Sequence, residues 1–317
     1  MRGHATLHAP IGPALAVTLG LAVSLAAFTP AAPGEQAAAP RPLAMAADAH
    51  ADWSAQRIMA EIDRRHEQFP YVYEEQTMVL GDGSAKRTVR KCRRFSRIEE
   101  DGSFKFLLVF DDPEEIRGVA LLAVRRADGT VERGIYLPAF GATLKRPLGE
   151  GGGGHFLGTD FAVEDLTPDA PGEYRYTRSG DRMVEDTALF VVDAYPISTE
   201  VERATGNGLR RHLIRKDNFV IIQTDFFDRR LRFRKRLTRH DIKRVNAQSW
   251  RANMIVVNDE REHHRSLLKV DRRVYSRDYV PAEIFEPAFL FANGHVRALN
   301  DRVAGRSPPV QRGDDGS

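Results

Sequence analysis

Gly134 to Leu166 reads GIYLPAFGATLKRPLGEGGGGHFLGTDFAVEDL. A strand-like run, Ile135-Tyr136-Leu137, stops at Pro138, and a basic pair, Lys145-Arg146, follows. Gly151 to Gly154 break the chain before His155-Phe156-Leu157-Gly158-Thr159-Asp160-Phe161 and the closing Glu164-Asp165-Leu166. No catalytic constellation lies here. Two strands' worth of aromatic and aliphatic side chains flank a Gly-rich loop, an arrangement that suits the mouth of a cavity.

On either side of this stretch the sequence alternates with the period of a strand. Ser103 to Phe110 is the cleanest case, with Phe104, Phe106, Leu108 and Phe110 on one face. Leu107 and Val109 make the other face apolar too, which predicts a central strand. Upstream, Tyr71–Leu80 and Lys86–Ile98 read as strands, with Gly81-Asp82-Gly83-Ser84 and Asp101-Gly102 as turns. Val119–Arg126 and Val131–Leu137 form a hairpin around Asp128-Gly129. After the Gly-rich loop the rhythm resumes in Tyr174–Val184, Thr187–Tyr195, Leu209–Lys216, Val220–Asp225, Leu231–Leu237, Trp250–Asn258 and Glu262–Val270. Turn signals lie at Ser179-Gly180-Asp181, Gly206-Asn207-Gly208 and Lys216-Asp217-Asn218. A dozen or so strands at this spacing predict an antiparallel meander, closed or half closed. Asp52–Glu67 is the one clear amphipathic helix, with Trp53, Ile58, Met59 and Ile62 near one face. Asp52 or Ser54 can cap it, and Pro70 stops it. Pro281–Phe291 reads as a short helix or as a loop packing Ile284, Phe285 and Phe289 on the sheet.

Several of these motifs, in this order, resemble the outer-membrane lipoprotein-sorting family, the LolA-like periplasmic carriers. They are Phe106-Leu107 before Asp112-Pro113, Arg117-Gly118-x-x-Leu121-Leu122, Tyr136-Leu137-Pro138-Ala139, Phe156-x-Gly158-Thr159-Asp160-Phe161-x-x-Glu164-Asp165-Leu166, and Asp225-Phe226-Phe227-Asp228. The resemblance runs from about Tyr71 to Val274. It departs from the family at Val119, where a threonine is common, and at Gly134-Ile135, where a tryptophan is common. It implies a mainly β fold: a large antiparallel, unclosed half β-barrel with an N-terminal helix and short helices or loops as lid or plug.

The 317 residues are 42% hydrophobic and 29% charged, with a formal charge of +3, an ordinary globular mixture. The mean hydropathy is polar, which excludes a multispan helical membrane protein. Ile11–Phe28 is apolar and uncharged, and Ala44-Met45-Ala46 fits a cleavage site, so residues 1–46 are expected to be a secretory signal peptide and processing region. Residues 47–304 are then one domain and 305–317 a disordered tail. The expected compartment is the periplasm. Cys92 is the only cysteine, which rules out an internal disulfide and a multi-cysteine metal site.

The Gly151–Gly154 run lacks the Gly-Lys-Ser/Thr ending of a phosphate loop and no helix pattern follows it, so it reads as a flap beside a cavity or a plain surface loop. His263 and His264 are adjacent and would point to opposite faces of a strand. His155, near Asp160 and Asp165, has no third ligand spaced to join them, and no metal or other cofactor is expected. No Gly-x-Ser-x-Gly elbow occurs. Arg230, Arg232, Arg234 and Arg236 are expected to share one strand face, either as a solvated outer face or as a dock for an acidic partner or anionic head groups. Nucleic acid is not expected.

These readings converge on a binding protein rather than an enzyme. The partners expected are lipid or lipoprotein acyl chains. The resemblance adds an inner-membrane exporter of RND/MMPL type, docking at the Arg-rich face, and peripheral membrane contact. The lipid cavity is expected to be lined by Phe104, Phe106, Leu108, Phe110, Leu121, Ile135, Leu137, Phe156, Phe161, Leu231, Phe233, Leu237 and Met254. A lipid-sensing regulatory module of the cell envelope, and a hydrolase using His155 with the nearby acids, are the competing readings.

Overall fold

Ser54 opens the first element. Its side-chain oxygen accepts from the Arg57 N–H at 3.2 Å, and helix α1 runs from Ala55 to Glu67. Arg64, Arg65 and His66 fall in its last turn, where a basic side chain suits the negative end of the helix dipole. The computed structural model describes residues 50–81, 87–141, 144–145, 156–166, 172–292 and 294–295. The signal-peptide, tail, Gly151–Gly154 and His155 expectations fall outside the described residues.

Among the described residues thirteen strands follow: β1 (Tyr71–Gly81), β2 (Arg87–Ile98), β3 (Phe104–Asp112), β4 (Ala120–Arg125), β5 (Val131–Tyr136), β6 (Leu144–Lys145), β7 (Tyr174–Val184), β8 (Thr187–Pro196), β9 (Leu209–Arg215), β10 (Ile221–Phe227), β11 (Phe233–Arg244), β12 (Trp250–Asp259) and β13 (His264–Val274). All belong to one antiparallel sheet in the order β6-β5-β4-β3-β2-β1-β13-β12-β11-β10-β9-β8-β7. The sheet is not closed into a barrel: β6 and β7 stand at its two margins. The first and last strands of the chain pair at its centre, with Met78 opposite Leu268 and Gln76 opposite Val270.

Register lets one face be followed from margin to margin. It runs from Phe190 through Ile214 and Phe226 to Leu237, Val257, Leu268, Met78, Cys92, Phe110 and Leu121. Three segments cover the two faces. Helix α1 lays Ala55, Ile58 and Ile62 on Phe190, Val192, Ile214 and Phe219 at the β7–β9 end. On the same face, Phe156, Phe161 and Val163 pack on the residues of β1–β5 and β10–β13. On the opposite face, Val280, Ile284, Phe285 and Leu290 cover Tyr73, Phe95, Leu107, Val109 and Leu122. That explains why β3 is apolar on both sides. Each fully buried Phe, Ile or Leu here contributes about 1.5–3 kcal/mol relative to exposure.

The segment Phe156–Leu166 also fixes which face is concave. Its Phe156 ring lies 5.9 Å from Phe110 on β3, while its Asp160 carbonyl accepts from Lys235 Nζ on β11 at 3.1 Å. Those strands are five places apart, about 24 Å on a flat sheet. One short segment can touch both only because the sheet curls around it.

Some local expectations are corrected. The second half of the Gly134–Leu166 stretch is not a strand: Phe156–Gly158 is a 3-10 turn and α2 spans Val163–Leu166. Ser179-Gly180-Asp181 is a bulge inside β7, and the chain reverses at Glu185-Asp186. Strand β11 starts at Phe233, because Leu231 takes a left-handed turn conformation (φ 57°) with its N–H donating to the Asp228 carbonyl at 2.8 Å. A short helix, α3 (Thr199–Thr205), lies between β8 and β9, capped by Ser198 and ended by Gly206 at φ 67°. Pro281–Phe291 is realised as a 3-10 turn, Ala282–Phe285, and a short helix, α4 (Pro287–Phe291).

Candidate functional site

The concave face divides into zones along the strands. Its apolar floor contains Met78, Cys92, Phe106, Leu108, Phe110, Leu121, Leu237, Val257 and Leu268, covered at one end by Phe156, Phe161 and Val163. Phe104, Ile135 and Leu137 pack at its edge, half-buried. Ten of the thirteen cavity residues expected from sequence, namely Phe104, Phe106, Leu108, Phe110, Leu121, Ile135, Leu137, Phe156, Phe161 and Leu237, therefore share one cluster. Leu231, Phe233 and Met254 do not. Leu231 is exposed at the β10–β11 turn, and Phe233 packs its ring 5.9 Å from Phe227 on the outer face. Met254 pairs with His240 and Lys269, so it points away from the floor where its neighbour Ile255 sits.

A polar latch holds the cover down. Lys235, buried on β11, donates to the Asp165 carboxylate and to the Asp160 carbonyl. Ser266 Oγ donates to the buried Asp160 carboxylate at 2.7 Å and accepts the Asp160 backbone N–H at 2.9 Å. Asp160 and Asp165 are thus structural anchors, each bonded to a side chain of the sheet.

Between the cover and α1, the middle of the concave face is less deeply buried. Ile255 and Val270, on the adjacent central strands β12 and β13, point to the concave side and are half-buried, packed against the edge of that cluster. Beyond them, towards the C-terminal end of α1, the floor turns polar. Glu74 is buried and accepts from Arg273 Nε at 2.6 Å, Gln76 Nε2 at 2.6 Å and Arg94 Nη1 at 3.2 Å. Burial works to raise the Glu74 carboxyl, but Arg94 and Arg273 outweigh it and hold it below the usual range. Arg273 also reaches Asn253 Oδ1 at 2.8 Å and the Ala252 carbonyl at 2.9 Å. Arg94 stands over the Phe106 ring at 5.3 Å, joining the polar zone to the apolar one.

Arg239 and Arg251 complete this zone. Arg239 donates to the Ile221 carbonyl at 3.4 Å. Arg251 donates to the carbonyls of Trp250, Arg65 and His66 at 3.1, 3.4 and 3.5 Å, across the end of α1, and lies over Phe69. Burial lowers the pKa of both guanidiniums to about 10. His66 is exposed by surface area, yet burial, reinforced by Arg251, Arg239 and Arg94, pushes its imidazole down to about 3. Among the described residues, no group of three His, Cys, Asp or Glu is placed to hold a metal ion.

The arginines expected to form a docking face are dispersed. Arg230 and Arg232 lie in the turn before β11; Arg232 pairs with Asp228 at 2.9 Å. Arg236 pairs with Asp225 at 2.6 Å, and Arg234 is half-buried, with burial lowering its pKa. Sequence reading missed Arg94, Arg239 and Arg251. Their signal was weak: each is one more arginine in a strand already rich in them.

A family model described as "Uncharacterized protein" matches residues 102–291. No curated protein matches the chain. Among solved structures, a domain assigned as an outer membrane lipoprotein-sorting protein from Vibrio parahaemolyticus is similar at a TM-score of 0.67 and 23% identity, over 75% of this chain and 98% of that one. A DUF1329 family protein from Desulfovibrio piger gives 0.62 and 21%, over 73% and 99%. A LolA superfamily protein from Nitrosomonas europaea gives 0.58 and 15%, over 74% and 98%. These likenesses show the fold: this is a LolA-like unclosed sheet.

Proposed function

From the premise that this chain belongs to the family whose model spans residues 102–291, more than half its length, and has the LolA-like fold, we propose that it is a periplasmic carrier of lipid or lipoprotein acyl chains, not an enzyme. The observation that carries this reading is the pair Ile255 and Val270. They are apolar, they sit at the centre of the sheet on its concave side, and they keep part of their surface exposed at the edge of the cluster that Phe156–Leu166 covers. An acyl chain would cover what the protein leaves open. Stranding such a chain in water costs about 0.8 kcal/mol per methylene, on the order of 10 kcal/mol for one long chain. A carrier crossing an aqueous compartment must remove that cost and still release its guest. An exported chain with an N-terminal leader, and an exporter as the donor, are parts of the same proposal.

The test is lipid extraction and mass spectrometry of the purified protein, followed by transfer of a labelled lipid to acceptor vesicles. Copurified lipid with transfer is the expected result. Binding without transfer would favour the sensing module. Val270→Trp, which fills the open floor, should reduce bound lipid at least about fivefold while the fold stays intact by circular dichroism, a change of about 1 kcal/mol. Undiminished lipid in a folded Val270→Trp variant would refute the location of the site.

A further inference from the structure

The polar zone of the concave face holds four guanidinium groups: Arg94 and Arg273 on the buried Glu74 carboxylate, Arg251 at the end of α1, and Arg239 beside Ile255 on β11. Glu74 is fully engaged by Arg273, Arg94 and Gln76. Among the described residues, Arg239 and Arg251 form no ion pair with a carboxylate. Arg251 has an alternative use, since it spans the terminal carbonyls of α1. Arg239 has none of that quality: its one hydrogen bond among the described residues is the 3.4 Å contact with a backbone carbonyl. Arg239 is half-buried, and a guanidinium so placed without a carboxylate at ion-pair distance is a group that a ligand's negative charge would stabilise.

The apolar floor meets this zone at Arg94, which lies against Phe106, and at Ile255, which pairs across the strands with Arg239. Resting on that reading of the floor as an acyl-chain site, we infer that Arg94, Arg239 and Arg251 bind the phosphate head of an amphiphile whose chain lies over Ile255 and Val270. The chemistry fits a phosphate better than a neutral head. Each guanidinium presents a rigid fork of N–H donors matched to two oxygens of one oxyanion, and a phosphate has enough acceptor oxygens to engage several forks. A sugar or uncharged glycerol head would leave Arg239 as it stands.

The experiment uses the full mature chain, delipidated, in calorimetric titrations below the critical micelle concentration of each probe. The probes are dodecyl phosphate, dodecyl maltoside and inorganic phosphate. Dodecyl phosphate should bind at least about tenfold more tightly than dodecyl maltoside, the size of one charge-assisted hydrogen-bonded contact. Arg239→Gln should remove about tenfold from dodecyl phosphate and leave dodecyl maltoside unchanged, while Arg239→Lys should recover part of the loss. If Arg239→Gln does not fold, Arg94→Gln makes the same comparison, because Arg273 still holds Glu74. Equal affinity for the two detergents, or a ratio that survives both glutamine variants, overturns the head-group site and leaves the chain site standing. If neither detergent binds, the chain site falls first and the head-group site with it. If inorganic phosphate binds as tightly as dodecyl phosphate, the site takes a free anion and the amphiphile is refuted.

Discussion

His212 lies on β9 under α1, buried, with Nδ1 3.0 Å from Thr224 Oγ1. Burial, with Arg210 and Arg239 nearby, pushes its pKa down to about 3 from an ordinary 6.5. Below pH 6.5 the unfolded chain therefore binds a proton that the folded chain refuses, and stability must fall as pH drops from 6.5 towards 3. At pH 5 the loss from this residue is on the order of 2 kcal/mol. Urea midpoints at pH 7 and pH 5 should differ accordingly, and His212→Gln should flatten the difference; an unchanged slope would mean that the imidazole is not buried neutral. Nothing in the sequence around His212 announced this. Asp160 and Asp165 were equally opaque, because their partners Lys235 and Ser266 come 70 and 106 residues later and only the sheet brings them together. Spacing along the chain reports local geometry, whereas a buried charge is defined by residues that spacing does not reach.

Elements were far more legible. Helix α1 was readable from its apolar stripe and its Ser54 cap, and the boundaries of β1 to β5 and β7 to β9 were readable from alternation, whereas the two-residue β6 was not. Two lapses have local causes. Ser198 and Gly206 were available as start and stop signals for α3 and were passed over beside a glycine-rich turn. The arginine alternation before β11 imitated a strand, while Asp228 was instead binding the Arg230 and Arg232 N–H groups of a turn, each at 2.9 Å. The element that no pattern disclosed is the cover, Phe156–Leu166. Its attachment can be measured. Lys235→Met strands the buried Asp165 carboxylate and should cost about 3–5 kcal/mol in urea unfolding. Lys235→Met combined with Asp165→Leu should recover most of that loss, since two apolar side chains replace a buried pair. A double variant no better than the single one would show that the ion pair does not hold the cover.

For the molecule as a whole, the class of fold was legible because a dozen alternating runs leave few alternatives, and the inner lining was legible wherever alternation was clean. What remained hidden was which apolar residues are spent on packing and which are left open. Phe106 and Phe110 are fully buried, whereas Ile255 and Val270 are only partly so. Phe106→Asp should therefore abolish cooperative unfolding rather than report on ligand; a folded Phe106→Asp protein that unfolds cooperatively would show that this part of the floor is loosely packed. The strand order carries a last consequence. Margins β6 and β7 are successive strands, and the chain between them bears the cover. Those margins share no ladder hydrogen bond, so the two ends of the sheet are joined through the Lys235 and Ser266 anchors of the one segment that lies between them in the chain.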